Sequence, residues 1–317
     1  MPKISASIII PTFNKANILK MVLSGYLAQA KDTPDFEIII LDDASKDKTG
    51  EVVACFSDKL NIKYIKQSLN RGANYNRNIG IEAAVAELLI FADHDLIPSP
   101  DMVKLHVYQH ELDPSESLAV LGNVKTHPEI SGHKLSFLFM ERAWHGIDNV
   151  TRLTWRYFIT CNLSIRKKFI EENGKFDENV MHNDDVELGY RLFKHGLEIK
   201  YNPEIAGYHY HPLDFDEYMN IAQRDGAAVA YWLKKSPQAK GQLLDYGIFS
   251  WSNRPGKLIK HALVIAVFNK FTFRFMRKLA LLLTPHGNIA RYFYGGIYLH
   301  RRRETIKKCL RNNQTYA

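Results

Sequence analysis

The sequence predicts an α/β fold: a mostly parallel sheet with helices on both faces. Two observations predict it. In the first hundred residues four short apolar runs alternate with helical patterns, and each run ends in a polar cluster. Alternation of that kind builds a parallel sheet by crossover helices. A third observation sets the scale. The chain has 317 residues, 46% hydrophobic and 24% charged, which is ordinary globular composition and enough for one large domain or two small ones.

The elements follow in order. Ser7–Ile10 reads as a buried strand. Asn17–Ala30 reads as a helix with apolar residues at Ile18, Met21, Val22 and Leu27. Glu37–Leu41 is a second strand, Gly50–Phe56 a helix start, Ile62–Ile65 a third strand, Asn74–Val85 a helix and Glu87–Phe91 a fourth strand. Leu118–Val124 is a further strand, and Lys125–Thr154 reads as a long loop with a helical piece. Arg156–Ile165 alternates as a strand would. Asp184–His195 is a helix closed by Gly196, and Glu198–Tyr201 and Ile205–His209 are short strands split by Asn202-Pro203. This gives an α/β domain over 1–212, with a first half over 1–100 and a second over 101–212, and a mostly helical basic region over 213–317.

Charge separates those regions. From Arg254 to the end there are 14 Lys and Arg and one acid, Glu304, so the tail carries +13 and the rest of the chain −5. Phe268, Phe271, Phe275, Leu279 and Leu282 recur at helical spacing beside Lys270, Arg274, Arg277 and Lys278. Such a helix either lies on an anionic membrane surface, here through 257–283, or packs its aromatic face on the protein. Its charges interrupt each apolar run well short of the ~20 residues that cross a bilayer. The three cysteines, Cys55, Cys161 and Cys309, are far apart and suit a reducing, cytoplasmic setting, free or peripheral on the inner face of the cell membrane.

In a parallel sheet ligands bind beyond the carboxyl ends of the strands. The polar clusters there are Pro11-Thr12-Phe13-Asn14, Asp42-Asp43-Ala44-Ser45, Asn70-Arg71-Gly72 and Asp93-His94-Asp95. Carboxylates two apart at a strand end suit a hard divalent cation that bridges phosphates. Asp184 and Asp185 open a helix, where the dipole favours acids, and a carboxylate held there beside a phosphate site is placed to act as a general base.

With these motifs in this order, the chain resembles the family 2 glycosyltransferases, whose fold is GT-A, a Rossmann-like mixed sheet. The resemblance rests on Ser7–Asn14, on Ile39–Thr49, on Asn70–Ala73 with Arg77-Asn78-Ile79-Gly80, on Phe91–Asp95, on Gly174–Glu178 and on Asp184–Leu188, and it covers about residues 4–211. It implies that Asp43, with Asp42 beside it, holds the nucleotide base, most often uracil. It implies that Pro11 and Thr12 line the nucleoside pocket and that Arg77 and Asn78 lie near ribose or phosphates. Asp95 would ligate a divalent metal, Mn²⁺ or Mg²⁺, with Asp93 on ribose or in the metal's water shell. Asp185 would be the base, and Asp184 would bind acceptor or position the base. A His after the last strand often adds a ligand; His209 is the expected one and His211 its rival. The reaction implied is inverting transfer from a nucleoside-diphosphate sugar, most often a UDP-sugar, to a glycan or lipid-linked acceptor. A nucleotidyltransferase would carry a Gly-rich loop with Lys where this chain has Pro11–Lys15. A binding protein of the same fold could lack the acids that this chain retains. Arg301–Arg303 and Lys307-Lys308 are too short a cluster to imply nucleic acid.

Overall fold

The computed structural model describes residues 4–132, 135, 136, 144, 147, 152–180, 182–241, 262, 264–282 and 288–312. Most of the expected 125–154 loop beyond Gly132, with His145 and Gly146, lies outside them. So do 257–261, 263 and 283 of the basic stretch.

The chain divides into two compact units. The first holds residues 1–130, 140–179 and 184–211; the second holds 131–139, 180–183 and 212–317.

The first unit is built on an eight-stranded sheet: β1 (Ala6–Thr12), β2 (Phe36–Asp42), β3 (Ile62–Lys66), β4 (Leu88–Ala92), β5 (Leu96–Pro98), β6 (Leu118–Thr126), β7 (Asn162–Arg166) and β8 (Glu198–His209). Their order is β3-β2-β1-β4-β7-β6-β8-β5. Strands β3, β2, β1 and β4 run parallel, β7 is antiparallel to both its neighbours, and β6 pairs parallel with β8. Ile8–Ile10, Ile38–Leu41 and Leu89–Phe91 are wholly buried. Continuous apolar runs are what a sheet covered on both faces requires. The crossovers are α1 (Ala16–Leu27), α2 (Thr49–Ala54) and α3 (Ala73–Ala83). Helix α3 lies so close to the sheet that a Cβ on Gly80 would come within 2.5 Å of the Ile9 side chain.

Three elements depart from the sequence expectation. Helix α4 (Met102–Leu112) was not apparent from the pattern, because His106 and His110 occupy core-facing positions on it. Both rings bond Ser164 of β7, and His106 also meets Asn162. Burial lowers His106 to about 4 and His110 to about 3, so both are neutral. Second, the strand expected over Arg156–Ile165 begins only at Asn162. Trp155–Tyr157 forms a single 3₁₀ turn, followed by α5 (Lys167–Asn173) once β7 ends. Third, the two strands expected around Asn202-Pro203 are one strand, β8, whose register shifts opposite Gly122 and Asn123. Pro203 cannot donate to the ladder. The Asn162 amide instead donates to the carbonyls of Asn123, at 3.2 Å, and Ile205, at 3.0 Å. Gly122 faces that amide, and a Cβ there would stand 2.3 Å from it.

The second unit holds α7 (Phe215–Lys235), α8 (Phe273–Leu282) and α9 (Asn288–Asn312) around Leu213, Tyr218, Ile221, Phe268, Tyr294 and Ile297. Asp214 caps α7 by accepting the Glu217 N–H at 2.8 Å. The buried Asp225 accepts from Tyr298 at 2.9 Å and pairs with Arg302 at 3.1 Å.

Candidate active site

The loops after β1 and β2 lock together. The Asn14 N–H donates to Ser45 Oγ, the Lys46 N–H donates to Asn14 Oδ1, and Asp47 accepts from the Ala16 N–H that opens α1. Asp47 also accepts from the backbone and hydroxyl of Thr49 at the start of α2, so one side chain serves two helix N-termini. Its spacing in Asp43-Ala44-Ser45-Lys46-Asp47 is the signal that could have found it. Ala44 has φ +65°, in the left-handed region, which costs a non-glycine residue on the order of 1 kcal/mol. Bonds on either side hold it there. The Ser45 N–H donates to Asp42, and the Asp43 carboxylate accepts the Arg71 and Gly72 N–H groups at 2.8 and 2.9 Å.

Asp42 and Asp43 therefore differ. Asp42 has no exposed surface, and its second oxygen accepts from the Tyr64 hydroxyl. Direct contact with a base, expected from its place beside Asp43, does not fit that burial; Asp42 shapes the loop that carries Asp43. Thr12 is buried with Oγ1 unpartnered among the described residues, and the Pro11 carbonyl meets His94 Nδ1 at 3.2 Å.

Arg77 on α3 is the hub. Its guanidinium donates to Asp184 at 2.6 Å and to Asp93 at 3.3 Å and lies 5.4 Å from the Phe176 ring centroid. One cation thus ties the end of β4 to α6 (Asp184–Phe193), the helix that carries both candidate catalytic acids. Asn78, expected near ribose or phosphate, is used otherwise. Its amide exchanges two 3.0 Å hydrogen bonds with the backbone of Phe176 and also donates to Glu178. A side chain with both ends so engaged holds the 174–178 segment and has no donor left for a phosphate.

Of the two adjacent acids, Asp184 is neutralised by Arg77. Among the described residues, Asp185 accepts only from backbone N–H groups, of Val186 at 2.7 Å and Thr160 at 3.4 Å. Burial and then the Asp184 charge push its carboxyl up to about 7, against the pull of Arg77.

Asp95 gathers both histidines that the sequence left as rivals. His209 Nε2 lies 3.3 Å from one carboxylate oxygen and His211 Nδ1 3.1 Å from the other. The pairing of β5 with β8 sets Leu96 opposite His209 and brings them there. One ligand atom from each of the three lies within 4.8 Å of the others. Burial would raise Asp95, yet the His209 and His94 charges hold it well below the usual carboxylate range. Burial would likewise lower His209, and the Asp95 carboxylate raises it instead. One carboxylate and two imidazoles form a donor set that fits a divalent metal ion. Asp93, expected on ribose or in the metal's water shell, lies outside this trio, with one carboxylate oxygen 3.3 Å from Arg77.

Two tryptophans of the first unit are packed. Trp155 is buried edge-on against Tyr190, and Trp144 donates to the Gly122 carbonyl at 3.2 Å.

Residues 7–174, more than half the chain, match the family described as Glycosyl transferase family 2. The chain belongs to that family. Among curated relatives, this family 2 chain is 28% identical over 243 residues to the hyaluronan synthase of Pasteurella multocida, an alignment covering 66% of this chain and 25% of that one. It is 30% identical over 231 residues to the validoxylamine A glucosyltransferase of Streptomyces hygroscopicus subsp. jinggangensis, covering 63% and 54%. It thus spans between a quarter and about half the length of these two relatives. In fold it is similar to the mannosyltransferase PcManGT of Pyrobaculum calidifontis, solved with GDP-Man and Mn²⁺. The TM-score is 0.66 at 17% identity, covering 99% of this chain and 90% of that one. It is also similar to S. aureus TarS with UDP-GlcNAc, with a TM-score of 0.56 at 16% identity, covering 99% and 93%. The fold is GT-A.

Proposed function

We propose that the chain transfers a hexosyl or N-acetylhexosaminyl group from a nucleoside-diphosphate sugar, in the first place a UDP-sugar, to a hydroxyl of a glycan or lipid-linked glycan, with inversion. The observation that carries this reading is the asymmetry of Asp184 and Asp185. Arg77 pairs with the first, and the second, among the described residues, accepts only backbone N–H groups, at a proton affinity suited to accepting a proton near pH 7. Asp185 takes the acceptor hydroxyl proton as that oxygen attacks the anomeric carbon. The sugar–phosphate bond breaks and the nucleoside diphosphate leaves from the opposite face, so an α-linked donor gives a β-linked product.

Asp43 recognises the base in a pocket lined by Pro11 and Thr12, and Asp42 positions its loop. Arg77 and Asp93 border the phosphate and ribose side. Asp95, His209 and His211 would hold the divalent metal, which when bound supplies charge neutralisation for the diphosphate. The GDP-Man bound by PcManGT and the UDP-GlcNAc bound by TarS support a sugar-nucleotide donor, and the three free thiols support a reducing, cytoplasmic setting.

The test is calorimetry of UDP, GDP, CDP and dTDP with and without Mn²⁺, joined to a donor-turnover assay of Asp185→Asn. One nucleotide should bind in a Mn²⁺-dependent way. Asp185→Asn should lose ~10² to 10⁴-fold in turnover while retaining that binding. Undiminished turnover in Asp185→Asn would remove it as the base. No nucleotide binding by folded protein would overturn the transferase reading.

A further inference from the structure

Helix α8 carries two apolar faces, and the core uses only one. Phe273 and Met276 pack against the core of the second unit and Ala280 is buried within it. At about 100° per residue these three share one side. Phe275 and Leu282 project from the opposite side, 64% and 81% exposed, and Phe271, in the turn that leads into the helix, is 83% exposed. Phe268, the first residue of the expected aromatic stripe, is instead buried in the core, 1% exposed. Packing on the protein therefore accounts for Phe268, Phe273, Met276 and Ala280, but not for the outward aromatic residues.

The charges settle what the open face suits. Residues 264–282 contain four cations, Lys270, Arg274, Arg277 and Lys278, and no acid. Arg277 is held by Asp216, at 3.3 Å, and lies over the Phe215 ring. Lys270 lies 4.8 Å from the Phe271 ring centroid. Arg274 and Lys278 are exposed, and neither forms an ion pair among the described residues. Outward Phe and Leu flanked by unpaired cations, on a helix anchored by its other face, match the interface of a bilayer with anionic headgroups. The rings enter the acyl boundary, and the cations meet the phosphates. A water-exposed role leaves this apolar area without a partner, and a neutral protein surface leaves the cations without one. Among the described residues no helix is long and apolar enough to cross a membrane, so the mode is docking in the interface plane.

We propose that Phe271, Phe275 and Leu282, with Arg274 and Lys278, form a docking face for an anionic lipid bilayer. This stands apart from the transferase reading, since lipid binding is measured without turnover. The full chain is sedimented with vesicles of phosphatidylcholine alone and of phosphatidylcholine with phosphatidylglycerol in equal parts, at low salt. Binding is expected to the anionic vesicles only. It should weaken about tenfold or more both in Phe271→Ser/Phe275→Ser and in Arg274→Gln/Lys278→Gln, with thermal unfolding unchanged in each. Three results would overturn the proposal: no binding to anionic vesicles at low salt, equal binding by the phenylalanine double variant, or a wild-type dimer that this variant dissociates while neither form binds vesicles. The last result would assign the face to a second copy of the chain.

Discussion

At the level of single residues, the site is organised by how charge is shared. Arg77 serves two acids from different elements, and so its loss leaves Asp93 and Asp184 facing each other uncompensated. Removing the shared cation from such a partly buried set costs on the order of 1–3 kcal/mol, below the cost for a fully buried pair. Arg77→Met is expected to lower the thermal midpoint by several degrees and to cut turnover at least tenfold. Arg77→Lys should recover little of either, because a single ammonium cannot reproduce a fork that reaches both carboxylates. A thermal melt beside a turnover assay checks this. Asp185 gives the pH dependence. Its carboxyl must be ionised to act as a base, so turnover per unit donor should rise with pH through about 7 and level off above it. The stability effect has the opposite direction. A carboxyl raised above its unfolded value binds a proton more tightly in the folded chain, so its contribution weakens as pH climbs from about 4 to about 7. At pH 8 Asp185→Asn should therefore melt higher than the parent while turning over less. An unchanged or lower melting point would contradict the buried-charge account.

Elements fix where those residues stand, and glycine positions show how tightly. Gly189 on α6 packs against the 3₁₀ turn at Trp155–Tyr157, where a Cβ would lie 2.5 Å from the Phe158 side chain and 2.6 Å from the Trp155 carbonyl. Gly189→Ala should force α6 outward at a cost of about 1–3 kcal/mol. Because Asp185 rides on the first turn of that helix, turnover should fall more than nucleotide binding does. A melt and a calorimetric titration of the same variant separate the two effects. The first four motifs were legible because each lies at or just after an apolar run, and apolar runs mark buried parallel strands without any knowledge of tertiary contacts. Helix α4 was not legible, because two of its core-facing positions are histidines. A sequence pattern scores them as polar, and only Ser164 and Asn162, more than fifty residues away, make them fit for burial. Asn78 misled for the same reason. The motif named the residue, but its partner is the backbone of Phe176, 98 residues on.

Across the whole molecule, each unit closes its own core and carries its own buried polar centre. In the second unit that centre is Asp225 with Tyr298 and Arg302, where Asp225 sits on α7 and the other two on α9. Arg302→Leu would strand a buried carboxylate, at a cost of order 3–5 kcal/mol, while Asp225→Asn with Arg302→Leu should restore much of the loss. Differential scanning calorimetry of the single and double variants measures the coupling. Equal melting in the single variant and the parent would show the pair to be without weight. The sequence by itself determined the sheet-and-helix alternation, the ordered acidic motifs and the basic tail, since periodicity, motif spacing and charge are properties of the chain read locally. The tertiary structure alone decided that both His209 and His211 reach Asp95, that Arg77 meets Asp93 and Asp184 together, that Asp42 bonds Ser45 and Tyr64 while Asn78 bonds Phe176, and which side of α8 stays open. Each of those depends on distances between segments far apart in sequence, set by strand register and helix packing, and spacing along a chain holds no record of them.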